Sequence, residues 1–366
     1  FIMFYVGFGT DWNHAKPVAG KAVLLSSVGV VVTAGLTGAV CILFLHMPVL
    51  DALLLGSIIS STDAASVFSV LRSKKLGLRE NTASLLEIES GSNDPFSYML
   101  TIIFLSMMSG AETGAALALM TVKQLLFGVI CGAGIALSAR AFLRRYHFPI
   151  PGFDMVFFIG TALLSYALPT AIGGNGYLST YIVGIVLGNV RIQNKKSLVN
   201  FFDGFTSLMQ ILIFFLLGLL SIPSHIPQVI IPAVIVTLML TFCIRPIAVG
   251  LCLAPLKCSI RQQALVAFSG LRGAASIVFA IIATVHEAQT QGNLFHMVFC
   301  IVLLSLAFQG SLLAPMARWL KMCDNEIDDA KTFSDYSDQV QLNFIGLEIY
   351  KGHPWEEQAL RNINLP

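Results

Sequence analysis

Roughly ten stretches of about twenty apolar residues follow one another along this chain. They lie near 22–45, 49–71, 83–108, 122–142, 155–172, 175–190, 205–222, 228–253, 263–285 and 294–317, with the tail of another before Thr10. A backbone in hydrocarbon has no water to bond, so each stretch must satisfy its own N–H and C=O groups, and the helix does this within one segment. The chain is 56% hydrophobic and 11% charged, against roughly 25% charged residues in soluble domains. It is read as an all-α polytopic membrane protein whose surroundings are the lipid bilayer. A net charge of +2 spread over short loops excludes a nucleic-acid surface. The seven cysteines form no CxxC, and the histidines sit at span ends or in loops, so neither a transition metal nor another cofactor is expected.

Loops carrying Arg72-Ser-Lys-Lys75, Arg144-Arg145, Arg191 with Lys195-Lys196, and Lys257 with Arg261 alternate with loops holding Glu112, Gly173-Gly174, His225 or Glu287. The positive-inside rule then makes the basic loops and the C-terminus cytoplasmic. Two spans are broken by similar polar runs, Ser60-Ser-Thr-Asp-Ala-Ala-Ser-Val-Phe68 and Ser269-Gly-Leu-Arg-Gly-Ala-Ala-Ser-Ile-Val-Phe279. They run in opposite directions, which is the pattern of an inverted-repeat transporter with its site at the bilayer midplane.

A third span holds Glu87-Ile-Glu-Ser-Gly-Ser-Asn-Asp-Pro95. One carboxylate at the centre of a membrane helix costs about 2.5–3.5 kcal/mol, so these acids need a task or a partner. Asp94 lies roughly 16 Å into the span at 1.5 Å per residue, near the midplane. Helical spacing stacks Ser90 with Asp94, a titratable carboxylate beside a neutral oxygen, which suits a dehydrated monovalent cation or a proton. It stacks Glu89 with Asn93 on the adjacent stripe, a structural pair needing a cation from a neighbouring helix; Arg245, always ionised, is the chosen partner. Asp63 and Thr62 sit where the first break exposes unpaired backbone groups, and Arg272 opposes the negative helix ends in the second. The competing readings are buried polar packing for the acids, dipole compensation for Asp63 and Arg272, and snorkelling to the cytoplasmic face for Arg245.

After Lys321 the chain turns acidic and then alternates like a strand over 339–344, the beginning of a small α/β unit. The chain starts at Phe1 within an apolar run and ends at Pro366 in an unfinished unit, and it reads as a fragment at both ends.

Ser-Thr-Asp-Ala-Ala-Ser at 61–66, Leu-Glu-Ile-Glu-Ser-Gly-Ser-Asn-Asp-Pro at 86–95 and Gly-Leu-Arg-Gly-Ala at 270–274 together resemble the sodium/proton exchanger superfamily of cation-proton antiporters. The likeness is strongest to bacterial potassium/proton antiporters of the cell-volume-regulation type, because 338–366 resembles the start of their TrkA-C regulatory domain. The resemblance implies an exchanger domain over 1–321 with the inverted-repeat antiporter fold, a linker at 322–337, and the beginning of the cytosolic domain at 338–366. About two further spans would precede Phe1. It implies that Thr62, Asp63, Ser90 and Asp94 surround the ion, with Asp94 exchanging proton and cation, while Glu89, Asn93, Arg245 and Arg272 brace the site. It further implies a homodimer in a bacterial inner membrane, alternating access, a role in cation, pH and cell-volume homeostasis, and a small ligand for the remainder of the tail.

Desolvation favours protonated Asp94 and a bound cation favours its ionised form, so the two compete for one group. Because Asn93 rather than an acid precedes Asp94, electroneutral one-for-one antiport is expected, of potassium in preference to sodium. The chain departs from the family pattern in one place, having Phe4-Tyr-Val-Gly-Phe-Gly9 where members commonly carry an acid followed by glycines. The alternatives are a sodium/proton antiporter of the same fold and a regulated cation channel. An intramembrane aspartyl protease, the enzymatic alternative, is disfavoured because neither Tyr-Asp nor Gly-x-Gly-Asp occurs.

Overall fold

The structure, a computed structural model, describes residues 1–74, 76–110, 114–146, 152–190, 192, 195–285 and 294–324. The strand-like alternation expected at 339–344 lies outside these residues, as do Lys75, Glu112, Arg191 and Glu287 of the loops. Helices follow one another as α1 (Ile2–Gly9), α2 (Trp12–Leu45), α3 (Val49–Ile58) and α4 (Ala64–Ser73); after strand β1 (Gly77–Leu78) come α5 (Thr82–Met108), α6 (Ala115–Arg145), α7 (Phe153–Ala171), α8 (Gly176–Gly188) and α9 (Lys195–Leu220). The second half holds α10 (Ile226–Met239), α11 (Arg245–Leu253), α12 (Ile260–Phe268), α13 (Ala274–Val285), α14 (Leu294–Leu304) and α15 (Gly310–Trp319), and ends in strand β2 (Cys323–Asp324). Among the described residues six helical segments are individually long and apolar enough to cross a membrane. Leu208, Ile211, Phe215 and Leu219 on α9 face outward, an apolar outer stripe suited to lipid.

Both interrupted helices are present, as α3–α4 and α12–α13, with their breaks at the polar runs. Two helices begin about ten residues before the apolar pattern does: α2 at Trp12 and α9 at Lys195. Hydropathy marks where lipid ends, whereas a helix continues wherever one face finds a neighbour. Ala15, Val18, Ala22 and Leu25 supply that face on α2, packing with Val67 and Leu71 of α4. The spans expected at 228–253 and 294–317 each contain a π-helical turn, Leu240–Ile244 and Ser305–Gln309, that an unbroken apolar run does not reveal. The first stands just before Pro246, whose missing N–H already denies the helix one rung.

The helices form two packed bodies. In one, an aromatic core of Phe4, Phe8, Phe158 and Phe202 joins α1, α6, α7, α8 and α9. There α1 and α8 meet backbone to backbone: a Cβ on Gly184 would lie 2.4 Å from the Phe4 carbonyl oxygen, and one on Gly188 would lie 2.1 Å from that of Phe8. The other body is built on α2, α3–α4, α5, α10–α11, α12–α13 and α14–α15, with apolar cores above and below the breaks. Strands β1 and β2 pair antiparallel, Gly77 with Asp324 and Leu78 with Cys323, so an ordered strand stands within the segment expected as linker.

Candidate functional site

The breaks cross between α5 and α11. The Asp63 N–H donates to the Leu271 carbonyl (2.8 Å), and the Arg272 guanidinium donates through Nη1 to the Ser61 carbonyl (2.8 Å). Each break thus meets backbone groups that the other leaves open, as buried helix ends require. Asp63 caps α4: its Oδ1 accepts from the N–H groups of Ala65 (3.0 Å) and Ser66 (3.4 Å), and its Oδ2 accepts from the Ser66 hydroxyl (2.7 Å). Only glycine fits at 273, where a Cβ would lie 2.2 Å from Asp63 Oδ2. The second break is held by the π-helical turn 305–309. Ser305 Oγ accepts from the Arg272 N–H (3.2 Å) and donates to Gln309 Oε1 (2.6 Å), while Gln309 Nε2 donates to the Phe268 carbonyl (3.3 Å).

Helix α5 supplies the remaining groups. The Ser90 hydroxyl splints the first break, accepting from the Ala64 N–H (2.9 Å) and donating to the Thr62 carbonyl (2.7 Å). Asp94 Oδ1 accepts from the Ser61 hydroxyl. Further along, buried hydroxyls zip α3 to α5: Ser97 donates to the Ser57 carbonyl (2.5 Å), Ser60 to Ser97 (3.2 Å), and Ser57 pairs with Thr101 (3.1 Å). Glu89 and Arg245 form a fully buried ion pair. Asn93 does not join it: its Nδ2 donates to Thr62 Oγ1 (2.5 Å), and its Oδ1 has no partner among the described residues. The Glu89/Asn93 stripe therefore divides, Glu89 turning to α11 and Asn93 to the first break.

A cavity of about 480 Å³ opens onto this crossing from between the two bodies. Thr62, Asp63, Ser90 and Asp94 line it, and Glu89, Asn93, Arg245 and Arg272 do not. Its other walls are α1, the middle of α9 and the start of α13, with Glu87 and Asp203 toward the end that bears the basic loops. On the side away from those loops the rings of Tyr98, Tyr177 and Phe279 close together, with centroids 4.7–5.9 Å apart. On α1, where the chain lacks the acid of the family pattern, Tyr5 lines the cavity and donates to Asp203 Oδ1 (3.0 Å), so a carboxylate reaches this region from α9 instead.

Around the crossing stand the carboxylates of Asp63, Glu89 and Asp94 and the guanidiniums of Arg245 and Arg272, both fully buried. With all ionised, three negative charges less two positive leave one negative charge unbalanced. The sequence pattern does not single out Ser61, Ser305, Gln309 or Asn175, whose carboxamide donates to the Pro95 carbonyl (2.8 Å). Ser61 lies in the polar run of the first break, so its neighbourhood is marked in the sequence. The others bond to backbone far along the chain and carry no local sign.

Residues 1–319 match the family model described as sodium/hydrogen exchanger, transmembrane. The chain is 35% identical over 324 residues to a K(+)/H(+) antiporter NhaP from Alkalimonas amylolytica, covering 88% of this chain and 56% of that one. It is 32% identical over 339 residues to a K(+)/H(+) antiporter NhaP2 from Shewanella baltica (strain OS223), covering 92% and 56%. The chain thus spans a little over half the length of these curated relatives. Its fold is similar to that of the sodium proton antiporter MjNhaP1 from Methanocaldococcus jannaschii, with a TM-score of 0.77, 23% identity, and coverage of 87% and 83%.

Proposed function

This chain belongs to the sodium/hydrogen exchanger family, and from that premise we propose that it exchanges one monovalent cation for one proton across the membrane by alternating access, Asp94 holding each in turn. The observation that carries this is the charge count at the crossing. One uncompensated negative charge in a low-dielectric setting is costly, and either a proton or a monovalent cation removes it, whereas both together overshoot. The competition makes the exchange obligatory, and its one-for-one stoichiometry makes it electroneutral.

Within this reading Thr62, Asp63, Ser90 and Asp94 face the ion from the cavity wall, and Glu89, Asn93, Arg245 and Arg272 brace them. Potassium is the favoured cation, supported by the K(+)/H(+) names of both bacterial relatives; sodium exchange by the same site is the second reading. The basic loops and C-terminus are assigned to the cytoplasm of a bacterial inner membrane, so the cavity faces inward. A homodimer, a linker at 322–337 that begins with β2, a regulatory domain starting at 338 with a small ligand of its own, and a role in volume and pH homeostasis complete the proposal.

Everted vesicles containing the wild-type protein are expected to release a trapped proton gradient when potassium is added, seen as dequenching of a pH dye. Asp94→Asn abolishes this response; full activity in that variant would overturn the assignment.

A further inference from the structure

The turn of α5 that carries Asp94 is weakly held from within. Pro95 has no N–H to give to the Gly91 carbonyl, and Gly91 itself contributes no side chain. The side chains of this turn are tied to the first break of its own body through Ser61, Thr62 and Ala64, and its backbone is held from the other body by α8 and α1. The Tyr181 ring and Val6 fill the space at Gly91, where a Cβ would lie 2.8 and 2.7 Å from them. Four residues on, Asn175 Nδ2 donates to the Pro95 carbonyl (2.8 Å). Asn175 is 1% exposed and is fixed at both ends: its N–H donates to the Gln124 carbonyl (3.0 Å), and its Oδ1 caps α8 by accepting from the Leu178 N–H (3.0 Å). The donor is thus anchored in one body and the acceptor is the residue after Asp94 in the other.

We propose that Asn175 is a positioning residue of the exchange site, a latch whose carboxamide holds the Asp94 turn against α8 in the conformation whose cavity opens toward the basic loops. The inference rests on the alternating-access reading above. To present Asp94 on the opposite side, the two bodies must shift and this bond must break. It therefore favours one conformation over the other by the worth of a buried hydrogen bond, about fivefold in population.

Asn175→Asp keeps an oxygen to cap α8 and, as a carboxylate, has no proton for the Pro95 carbonyl, whereas Asn175→Ser keeps the capping oxygen and its shorter side chain draws the donor back from Pro95. In proteoliposomes of known orientation, the half-saturating potassium concentration is measured separately at each face. Each value scales inversely with the population facing that side, so their ratio follows the conformational equilibrium alone. Both variants are expected to raise the ratio of basic-loop face to opposite face about fivefold. A general loss of packing moves both values together and leaves the ratio at its wild-type value, which would overturn the latch. So would variants that elute as aggregates or lose all exchange, because the bond would then serve the fold rather than the balance of states. Wild-type liposomes separate the two levels of inference. Absence of exchange there defeats the parent reading, whereas wild-type exchange with an unchanged ratio in the variants defeats only the latch.

Discussion

At the scale of single residues, the buried pair of Glu89 and Arg245 shows how polar groups are retained in an apolar core. Removing one partner leaves the other charged and alone, so Arg245→Met is expected to cost about 3–5 kcal/mol. Removing both is far milder, and Glu89→Gln combined with Arg245→Met should recover most of the lost thermal stability in detergent. If the double variant is as unstable as the single, the ion pair is not what Arg245 contributes. On the proposed reading Asp94 differs, because its compensating charge comes from outside. If proton and cation compete for it, then on the acid side of the profile the half-saturating potassium concentration is expected to rise about tenfold per pH unit while the maximal rate holds. A fall in maximal rate at constant half-saturation would place the titrating group elsewhere.

At the scale of elements, the breaks are as much a part of the site as the side chains. Gly273 shows how little room they leave, because any Cβ there collides with the carboxylate that caps α4. Gly273→Ala should fold, since α12 and α13 keep their own packing, yet lower exchange more than tenfold by displacing Asp63 and the crossing. An active Gly273→Ala would show that the crossing tolerates such a shift. Both breaks could be read from the sequence, because Ser60–Asp63 and Ser269–Arg272 put polar side chains where an uninterrupted lipid-facing helix would gain nothing from them. The π-helical turns could not, since such a turn slips the register by one residue without changing composition. Their contribution is concrete: Ser305 and Gln309 supply hydroxyl and amide to the second break. The early starts of α2 and α9 were hidden because they depend on packing partners rather than on hydropathy. Asn175 was hidden because its acceptor is a backbone carbonyl eighty positions away.

At the scale of the whole molecule, the cavity lies between two bodies with separate cores, one aromatic and joined through close glycine contacts, the other holding both broken helices. The proposed one-for-one exchange predicts a property of the full transport cycle. If the site moves with either one proton or one monovalent cation, no net charge crosses, and exchange in proteoliposomes should be insensitive to an imposed membrane potential. A rate that varies with voltage would require a second titrating group in the cycle.

The ribbon of β1 and β2 has a mechanical consequence. It joins the chain leaving α15 to the turn that leads into α5, and Glu80 in that turn is itself tied to Ser259 and Gln262 of the second broken segment. Two residues per strand make a weak seam, since so short a pair has little stability of its own. Its two pairings set where the chain leaving α15 stands relative to the foot of α5.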